Sequence, residues 1–136
     1  MTRSEMREQI FRLLFCKEFY PEEEWSEQLI YLADDEDGAK ADTASQKDID
    51  YIQTKAAAAA VLADEIDDRI NAVAKGWKTK RMGKVELAII RLAVYEIEYD
   101  DDIPTGVAIN EAVELAKRYG TEDAPSFVNG ILAKIV

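Results

Sequence analysis

The sequence contains no histidine and a single cysteine, Cys16, among its 136 residues. Histidine is the commonest general base and metal ligand near neutral pH, and one thiol cannot form a two-cysteine zinc or redox motif. No glycine-rich phosphate loop occurs either. Four acids on one predicted helix, at positions 64, 65, 67 and 68, lack the histidines that normally accompany them in a two-metal helical bundle, so we interpret them as a solvated face. These absences argue against an enzyme.

Long apolar runs are also missing, since none approaches the roughly 18 residues that a membrane span requires. Arg7 and Arg12 interrupt the apolar pattern of the first fifteen residues, which does not resemble a signal peptide. A lone thiol in an apolar-rich helix suits a reducing compartment and excludes an internal disulfide. With 48% apolar residues and only three prolines, the composition predicts a globular chain. The lone thiol and the lack of a membrane span or signal peptide lead us to expect the cytoplasm, with no membrane partner.

The formal charge of −11 is distributed unevenly along the chain. Residues 21–50 hold eleven acids and two lysines, a local balance of −9, so the rest of the chain carries only −2. Residues 75–84, which we call the cationic connector, read KGWKTKRMGK, with five basic residues and no acid. The connector is interpreted either as plain surface or as an accessory electrostatic patch, because local charge decides which partners a surface attracts.

Apolar residues recur at helical spacing along most of the chain, and no stretch is convincing as a strand. We therefore predict an all-α fold of six to seven helices. A capping box of Thr2 and Glu5 begins the first helix, and Gly76 ends a single long third helix that starts at Ser45. The other predicted elements are a second helix at about residues 23–33, an acidic linker at 34–45, a central helix at 84–99, a helix from 104 to 120 and a last helix after 123.

Several single residues carry structural predictions of their own. Trp77 is interpreted as a plug at the join of two halves of the protein. Asn110 and Asn129 lie within helices that otherwise pack, and we expect both to be buried and hydrogen-bonded. Gly120 is predicted to end its helix, and Asp123 to cap the next one.

Three segments of the C-terminal half together resemble the signature of the NusB family of transcription antitermination factors. They are AIIRLAVYEIEY, DIPTGVAINEAVELAKRYG and SFVNGIL, in this order and spacing. The segments REQIFRLLFCKEFY and GWKTKRM of the N-terminal half fit the same family. The resemblance implies a single domain over residues 1–136, made of two small helical bundles packed across each other, at residues 1–75 and 76–136.

The resemblance also implies a function. Members of the family bind the boxA segment of nascent RNA together with the small-subunit ribosomal protein NusE. The complex then joins RNA polymerase and suppresses termination, chiefly on ribosomal RNA operons. No cofactor and no small-molecule substrate is expected.

The resemblance points to nine residues as contacts: Arg7, Phe15, Asp123 and Phe127 match family positions, Glu86 lies at the start of the central helix, and the other four are their neighbours or the second N-terminal arginine. Those expected to bind RNA are Arg3, Arg7, Phe15, Tyr119, Asp123 and Phe127. Those expected at the interface with the ribosomal protein are Arg81, Lys84 and Glu86. Aromatic rings stack on splayed bases and cations hold phosphates, so the residue types suit the task.

Without the family, some of these residues fit plainer roles. Phe127 suits a hydrophobic core and Asp123 a helix cap, while Phe15 fits either a core edge or a stacking position. Arg7 is expected to be exposed. The dense N-terminal arginine run of well-known members is reduced here to Arg3 and Arg7, so we predict weak RNA binding that the ribosomal protein strengthens.

Two alternatives remain open. One is a stand-alone RNA-binding module like the domain that precedes some ribosomal RNA cytosine methyltransferases. The other is a non-catalytic helical adaptor that binds only proteins.

Overall fold

The computed structural model describes residues 1–16 and 45–136, and these residues form six α-helices, one short 3₁₀ helix and no strand. The all-α prediction is confirmed. The predicted helix at residues 23–33 lies outside the described residues, as does almost all of the predicted acidic linker. The helices are α1 (Arg3–Cys16), α2 (Gln46–Val61), α3 (Ala63–Val73), α4 (Lys84–Tyr99), α5 (Thr105–Tyr119) and α6 (Ala124–Ile135), with the 3₁₀ helix at Thr79–Arg81.

The first two helices begin with reciprocal hydrogen bonds between a hydroxyl residue and an acid three positions later. In α1 the Glu5 N–H donates to Thr2 Oγ1 at 3.0 Å and the Thr2 N–H donates to Glu5 Oε1 at 2.9 Å. Ser45 and Asp48 do the same for α2, at 3.1 and 3.4 Å. Both capping boxes satisfy backbone donors that a helix start leaves unpaired, so the predicted starts are confirmed.

The starts of α1 and α2 are also joined by an ion pair. The Met1 ammonium group lies 3.2 Å from Asp48 Oδ2. This cation is the main cause of a lowered pKa for the Asp48 carboxyl group, and the hydrogen bonds from Ser45 add to it. A second contact links the two helices where the Arg3 guanidinium lies 4.9 Å from the Tyr51 ring centroid.

The prediction of one continuous helix after Ser45 is wrong, because the helix is interrupted at Leu62. The Leu62 backbone leaves the helical region at φ −92° and ψ 11°. Buried residues nevertheless keep helical spacing across the break, from Ile52 and Ala56 to Ile66 and Ile70. A change in one residue's ψ does not disturb that period, so the apolar pattern carried no sign of the interruption.

The described residues separate into two compact units, Met1–Ala60 and Val61–Val136. In the second unit α4, α5 and α6 pack against one another, and α3 packs on α4 and α6. Helix α4 is buried on nearly all sides, with Ile90 and Val94 fully enclosed. Its central position was predicted from apolar residues on two faces. Helix α3 also contacts the 3₁₀ helix. The division into subdomains at residue 75 stays a prediction.

An ion pair fixes α3 against α4 within this unit. The Arg91 Nε and terminal nitrogen atoms each donate to one Asp67 carboxylate oxygen, and both distances are 2.7 Å. Such a two-point pair defines the direction of both side chains as well as their separation. It therefore sets how α3 lies along the central helix.

Within the described residues, no helix is both long enough and apolar enough to span a bilayer.

Candidate nucleic-acid interface

Two aromatic rings from distant parts of the sequence meet at the surface of the second unit. The ring centroids of Trp77 and Phe127 lie 5.9 Å apart with an interplanar angle of 73°, an edge-to-face pair. Trp77 is 57% exposed and Phe127 is partly buried. The interpretation of Trp77 as an internal plug is therefore wrong. We call these two residues the aromatic pair.

The backbone that leads to Trp77 explains why the indole lies outside. Helix α3 ends where the Ala74 N–H donates to the Ile70 carbonyl at 2.9 Å, and Gly76 follows with φ of 84°. This left-handed conformation suits glycine, so the predicted helix stop at Gly76 is confirmed. The Trp77 N–H then bonds back to the Ala74 carbonyl at 3.0 Å. The turn directs the chain away from the helix axis and leaves the indole at the surface.

The cationic connector is braced by one asparagine of α3. The Thr79 N–H donates to Asn71 Oδ1 at 2.8 Å, and Asn71 Nδ2 donates to Thr79 Oγ1 at 3.3 Å. Lys78 Nζ donates to the Asn71 carbonyl at 3.0 Å. Thr79 is consequently buried, while the basic side chains around it are exposed. Within the described ranges, Lys75 and Lys80 form no hydrogen bond or ion pair. Fixed backbone and exposed ammonium groups together favour the electrostatic-patch interpretation.

Asp123 lies in the segment between α5 and α6, shortly before Phe127, and does not cap α6 with its side chain as predicted. Asp123 occupies the position before α6, yet its carboxylate accepts no capping hydrogen bond. The Ala124 N–H, at the first position of α6, donates to the Thr121 carbonyl at 3.0 Å, and the Phe127 N–H makes the first bond within the helix, to the Asp123 carbonyl at 3.1 Å. The predicted side-chain cap is thus wrong, and the carboxylate is exposed.

Gly120 ends α5 and allows α6 to begin very close to it. A Cβ atom at Gly120 would lie 2.5 Å from the Ala124 Cβ and 2.9 Å from the Ala116 carbonyl oxygen. The Gly120 N–H also donates to that carbonyl at 2.9 Å, which confirms the predicted end of α5. A glycine is needed here because the two helices approach too closely for any side chain.

The residues predicted to meet the ribosomal protein lie at the end of the 3₁₀ helix (Arg81) and in the first turn of α4 (Lys84 and Glu86). Arg81 and Lys84 are exposed, whereas Glu86 is partly buried. The Glu86 carboxylate folds back over Gly83, and a Cβ at Gly120 would lie 3.4 Å from its Oε1 atom. The acid therefore lies at the N-terminus of α4, where the helix dipole favours a negative charge.

The N-terminal site residues belong to the first unit and differ in exposure. Arg3 is exposed, with its guanidinium over Tyr51. Phe15 is partly buried, 6.4 Å from the Phe11 ring. Arg7 is only 7% exposed and has polar or charged contacts within the fold. The prediction that Arg7 is exposed is therefore wrong, and a cation buried to this degree is held by its partners in the fold.

Three further predicted residues lie near the C-terminal segment. Tyr119 is partly buried, and the Arg118 guanidinium lies 5.5 Å from its ring centroid. Asn110 and Asn129 are both exposed, in a groove between α5 and α6, so their predicted burial is wrong. Their amides meet solvent, which satisfies them without a protein partner.

The described residues contain no group of three or more potential ligands able to hold a metal ion. Burial raises the pKa of the Cys16 thiol, with an opposing contribution from Arg12. A raised pKa keeps the thiol protonated near neutral pH, and a protonated thiol is a poor nucleophile.

These features define a small helical protein that displays an aromatic pair beside exposed lysines. The NusB family model matches residues 4–136, and the chain belongs to the NusB family. The Transcription antitermination protein NusB of Agathobacter rectalis is 49% identical over 134 residues, which cover 98% of each chain. The protein of the same name from Lachnoclostridium phytofermentans is 44% identical over 136 residues, covering 100% of this chain and 99% of the relative.

Solved structures agree with the sequence comparison. Thermotoga maritima NusB superposes with a TM-score of 0.83 at 35% identity, over 99% of this chain and 90% of that one. A protein chain in the structure "Crystal Structure of a Plectonemic RNA Supercoil" has the same TM-score at 26% identity, with 98% and 92% coverage. The family and the helical fold predicted from the sequence are confirmed, and the chain is a member of a family of transcription antitermination proteins.

Proposed function

We propose that this chain binds boxA RNA together with the ribosomal protein NusE and thereby promotes antitermination by RNA polymerase on ribosomal RNA operons, in the cytoplasm. The observation that carries the proposal is the aromatic pair, in which the exposed Trp77 of the cationic connector contacts the partly buried Phe127. Single-stranded RNA is bound by stacking of bases on aromatic rings and by cations along the backbone. The structural neighbour solved with an RNA supercoil adds support.

In this proposal each group has a separate task. Phe127 and the exposed face of Trp77 stack on unpaired bases, and Lys75 and Lys80 hold phosphates nearby. Arg3 contributes a phosphate contact from the first unit. The exposed Asp123 carboxylate accepts a hydrogen bond from a base amino group or a ribose hydroxyl. Tyr119 and Phe15 remain predicted contacts. The role is one of binding, so no residue is assigned to catalysis.

Arg7 is left out of the phosphate contacts because its guanidinium is buried. Arg3 is then the one N-terminal arginine before residue 12 that is exposed. For single-stranded RNA, removing one cation from a phosphate lowers the slope of log Kd against log salt by about 0.7. We therefore expect the chain alone to bind boxA RNA weakly, with NusE supplying additional affinity through the surface that includes Arg81, Lys84 and Glu86.

The test is a titration of fluorescently labelled boxA RNA, with and without NusE, over a series of salt concentrations. Phe127→Ala should weaken binding by about 5- to 150-fold, corresponding to the roughly 1–3 kcal/mol of a stacked base. Arg3→Ala should reduce the salt slope by about 0.7. Lys134→Ala is the matched control, because Lys134 is exposed at the far end of α6 and removes the same charge.

Unchanged RNA affinity in both Phe127→Ala and Arg3→Ala would remove the assignment of the binding surface. Binding of the isolated chain as tight as that of the complex with NusE would contradict the proposed dependence on the partner. Circular dichroism of Phe127→Ala should retain the helical signal, which separates a loss of stacking from a loss of fold.

The burial of Arg7 favours one second candidate, a helical adaptor that binds proteins without RNA. An adaptor needs no exposed cations at its N-terminus. In the same titration the adaptor would bind NusE and show no RNA binding even at low salt, where electrostatic attraction is strongest.

A further inference from the structure

A second recess on the Val61–Val136 unit lies between α3 and the C-terminal half of α4. It has a volume of about 420 Å³ and an exposed surface that is mainly apolar. Ile66 and Val94 close its floor and are almost completely buried, at 1% and 0% exposure. The accessible apolar surface therefore comes mainly from Ala72 and from Tyr99, which is 47% exposed. We call this recess the acidic groove, because of the charges on its rim.

The Tyr99 ring is held in a defined position at one end of the groove. It stacks on Tyr95, with centroids 6.2 Å apart and an interplanar angle of 17°. Tyr95 is buried, so one face of Tyr99 is covered from inside the fold. An exposed aromatic ring whose orientation is fixed presents a surface to which a partner adds contacts at little entropic cost.

Three carboxylates surround this apolar surface, and only one cation accompanies them. Glu65, Asp68 and Glu98 lie on the rim with Arg69. Arg69 is already engaged, because its Nε donates to Glu98 Oε1 at 3.1 Å and a terminal nitrogen donates to the Ile135 carbonyl at 2.9 Å. Across residues 1–16 and 45–136, Glu65 and Asp68 have no hydrogen-bond or ion-pair partner and both are exposed. The rim thus carries two unmatched negative charges.

We propose that the acidic groove docks a cationic amphipathic helix of a partner protein. One apolar side chain of that helix covers Ala72, and lysines or arginines one turn away pair with Glu65 and Asp68. A further cation lies over the open face of Tyr99. RNA is not the occupant, since its phosphates meet unmatched carboxylates here. The charge of −11 on the whole chain also disfavours a second copy of this protein.

A synthetic peptide of lysine and leucine at helical spacing is the probe, and a scrambled peptide of identical composition is its control. The amphipathic peptide should bind the full chain more tightly than the scrambled one and should shift the NMR amide signals of residues that line the groove. Glu65→Gln combined with Asp68→Asn should weaken its binding by about three- to tenfold, as expected for two exposed ion pairs. The control is Asp101→Asn combined with Asp102→Asn, which removes the same charge at exposed positions outside the groove.

Four results would overturn the proposal. The first is equal binding of the two peptides, which would indicate attraction by net charge alone. The second is equal weakening by the two double variants. The third is a weakening of peptide binding by Phe127→Ala, which would place the peptide on the proposed RNA-binding surface. The fourth concerns the protein without peptide. If it self-associates, and Glu65→Gln combined with Asp68→Asn abolishes this self-association, the groove binds a second copy of the chain.

Discussion

Trp77→Ala is the substitution that most directly tests the aromatic pair. With 57% of the residue exposed, the fold covers roughly 100 Å² of an indole that offers about 250 Å². At about 25 cal/mol per Å² this burial stabilises the fold by at most about 2.5 kcal/mol. The edge-to-face contact with Phe127 adds about 0.5–1.5 kcal/mol. We expect the free energy of unfolding to fall by about 1–3 kcal/mol, measured by urea denaturation.

Trp77→Ala should also weaken RNA binding, even under conditions in which the variant remains folded. If the indole stacks on a base, its removal costs about 1–3 kcal/mol of binding free energy, or about 5- to 150-fold in Kd. Trp77→Phe retains a ring and should weaken binding by less than about fivefold. Fluorescence anisotropy of labelled boxA RNA measures both variants, under conditions in which circular dichroism shows each to be folded.

A double-mutant cycle with Phe127→Ala distinguishes direct stacking from mere support of Phe127. Two rings that act as one surface should show a coupling energy of at least about 0.5 kcal/mol in RNA binding. Tyr99→Ala removes an exposed ring elsewhere in the same unit and should leave RNA affinity unchanged. Unaltered RNA affinity in Trp77→Ala would falsify the assignment of the indole to the binding surface.

Three other substitutions test the fold around the site. Gly120→Ala should lower the free energy of unfolding by about 1–3 kcal/mol, because the new Cβ overlaps the start of α6. Arg91→Met should cost about 1–3 kcal/mol in urea denaturation, since it leaves the partly buried Asp67 carboxylate without its two donors. Asp48→Asn should lessen the loss of thermal stability that the wild type shows on acidification. The folded state lowers the pKa of Asp48, so its stabilising effect is complete above the unfolded pKa of about 3.9 and is lost as pH falls through the folded value.

Each of these predictions has its own control. Gly130→Ala in α6 meets no atom within 4 Å and should stabilise the protein, by about 0.5–1 kcal/mol. Lys117→Met breaks an exposed pair with Glu114 and should change stability by no more than about 0.5 kcal/mol. Equal effects of the two glycine substitutions, or of the two methionine substitutions, would contradict the reasoning. For Asp48 the contrary result is an acid profile that the asparagine variant leaves unchanged.

Local chemistry made much of the fold predictable from the sequence. The capping boxes of α1 and α2 depend on residues three positions apart, and the apolar stripe of a helix on residues three and four apart. Both signals are complete within a short window. Gly76 and Gly120 were likewise recognised as helix ends, because glycine is preferred where a chain leaves a helix.

Several of the wrong predictions depend on contacts that no short sequence pattern specifies. Trp77 is exposed because Asn71 and Gly76 fix the turn that presents it, and its partner Phe127 is fifty positions away along the chain. Arg7 looked like a surface residue because charged residues usually are. Its burial depends on partners that no local pattern specifies. The burial predicted for Asn110 was wrong for a similar reason, because the contacts of α5 with the neighbouring helices leave the face that carries Asn110 at the surface.

The brace between Asn71 and Thr79 has a consequence for the thermodynamics of association. A loop that becomes ordered only on binding pays for the lost backbone freedom, at about 1–2 kcal/mol for each residue that is fixed. Here the 3₁₀ helix and its hydrogen bonds already exist in the free chain. Exposed side chains such as those of Lys75 and Lys80 remain to be immobilised, at about 0.5–1.5 kcal/mol each. Because the connector is already ordered, less of the binding free energy from the aromatic pair and the lysines is lost to ordering the backbone. Asn71→Ala should therefore weaken RNA binding chiefly through a less favourable entropy of binding.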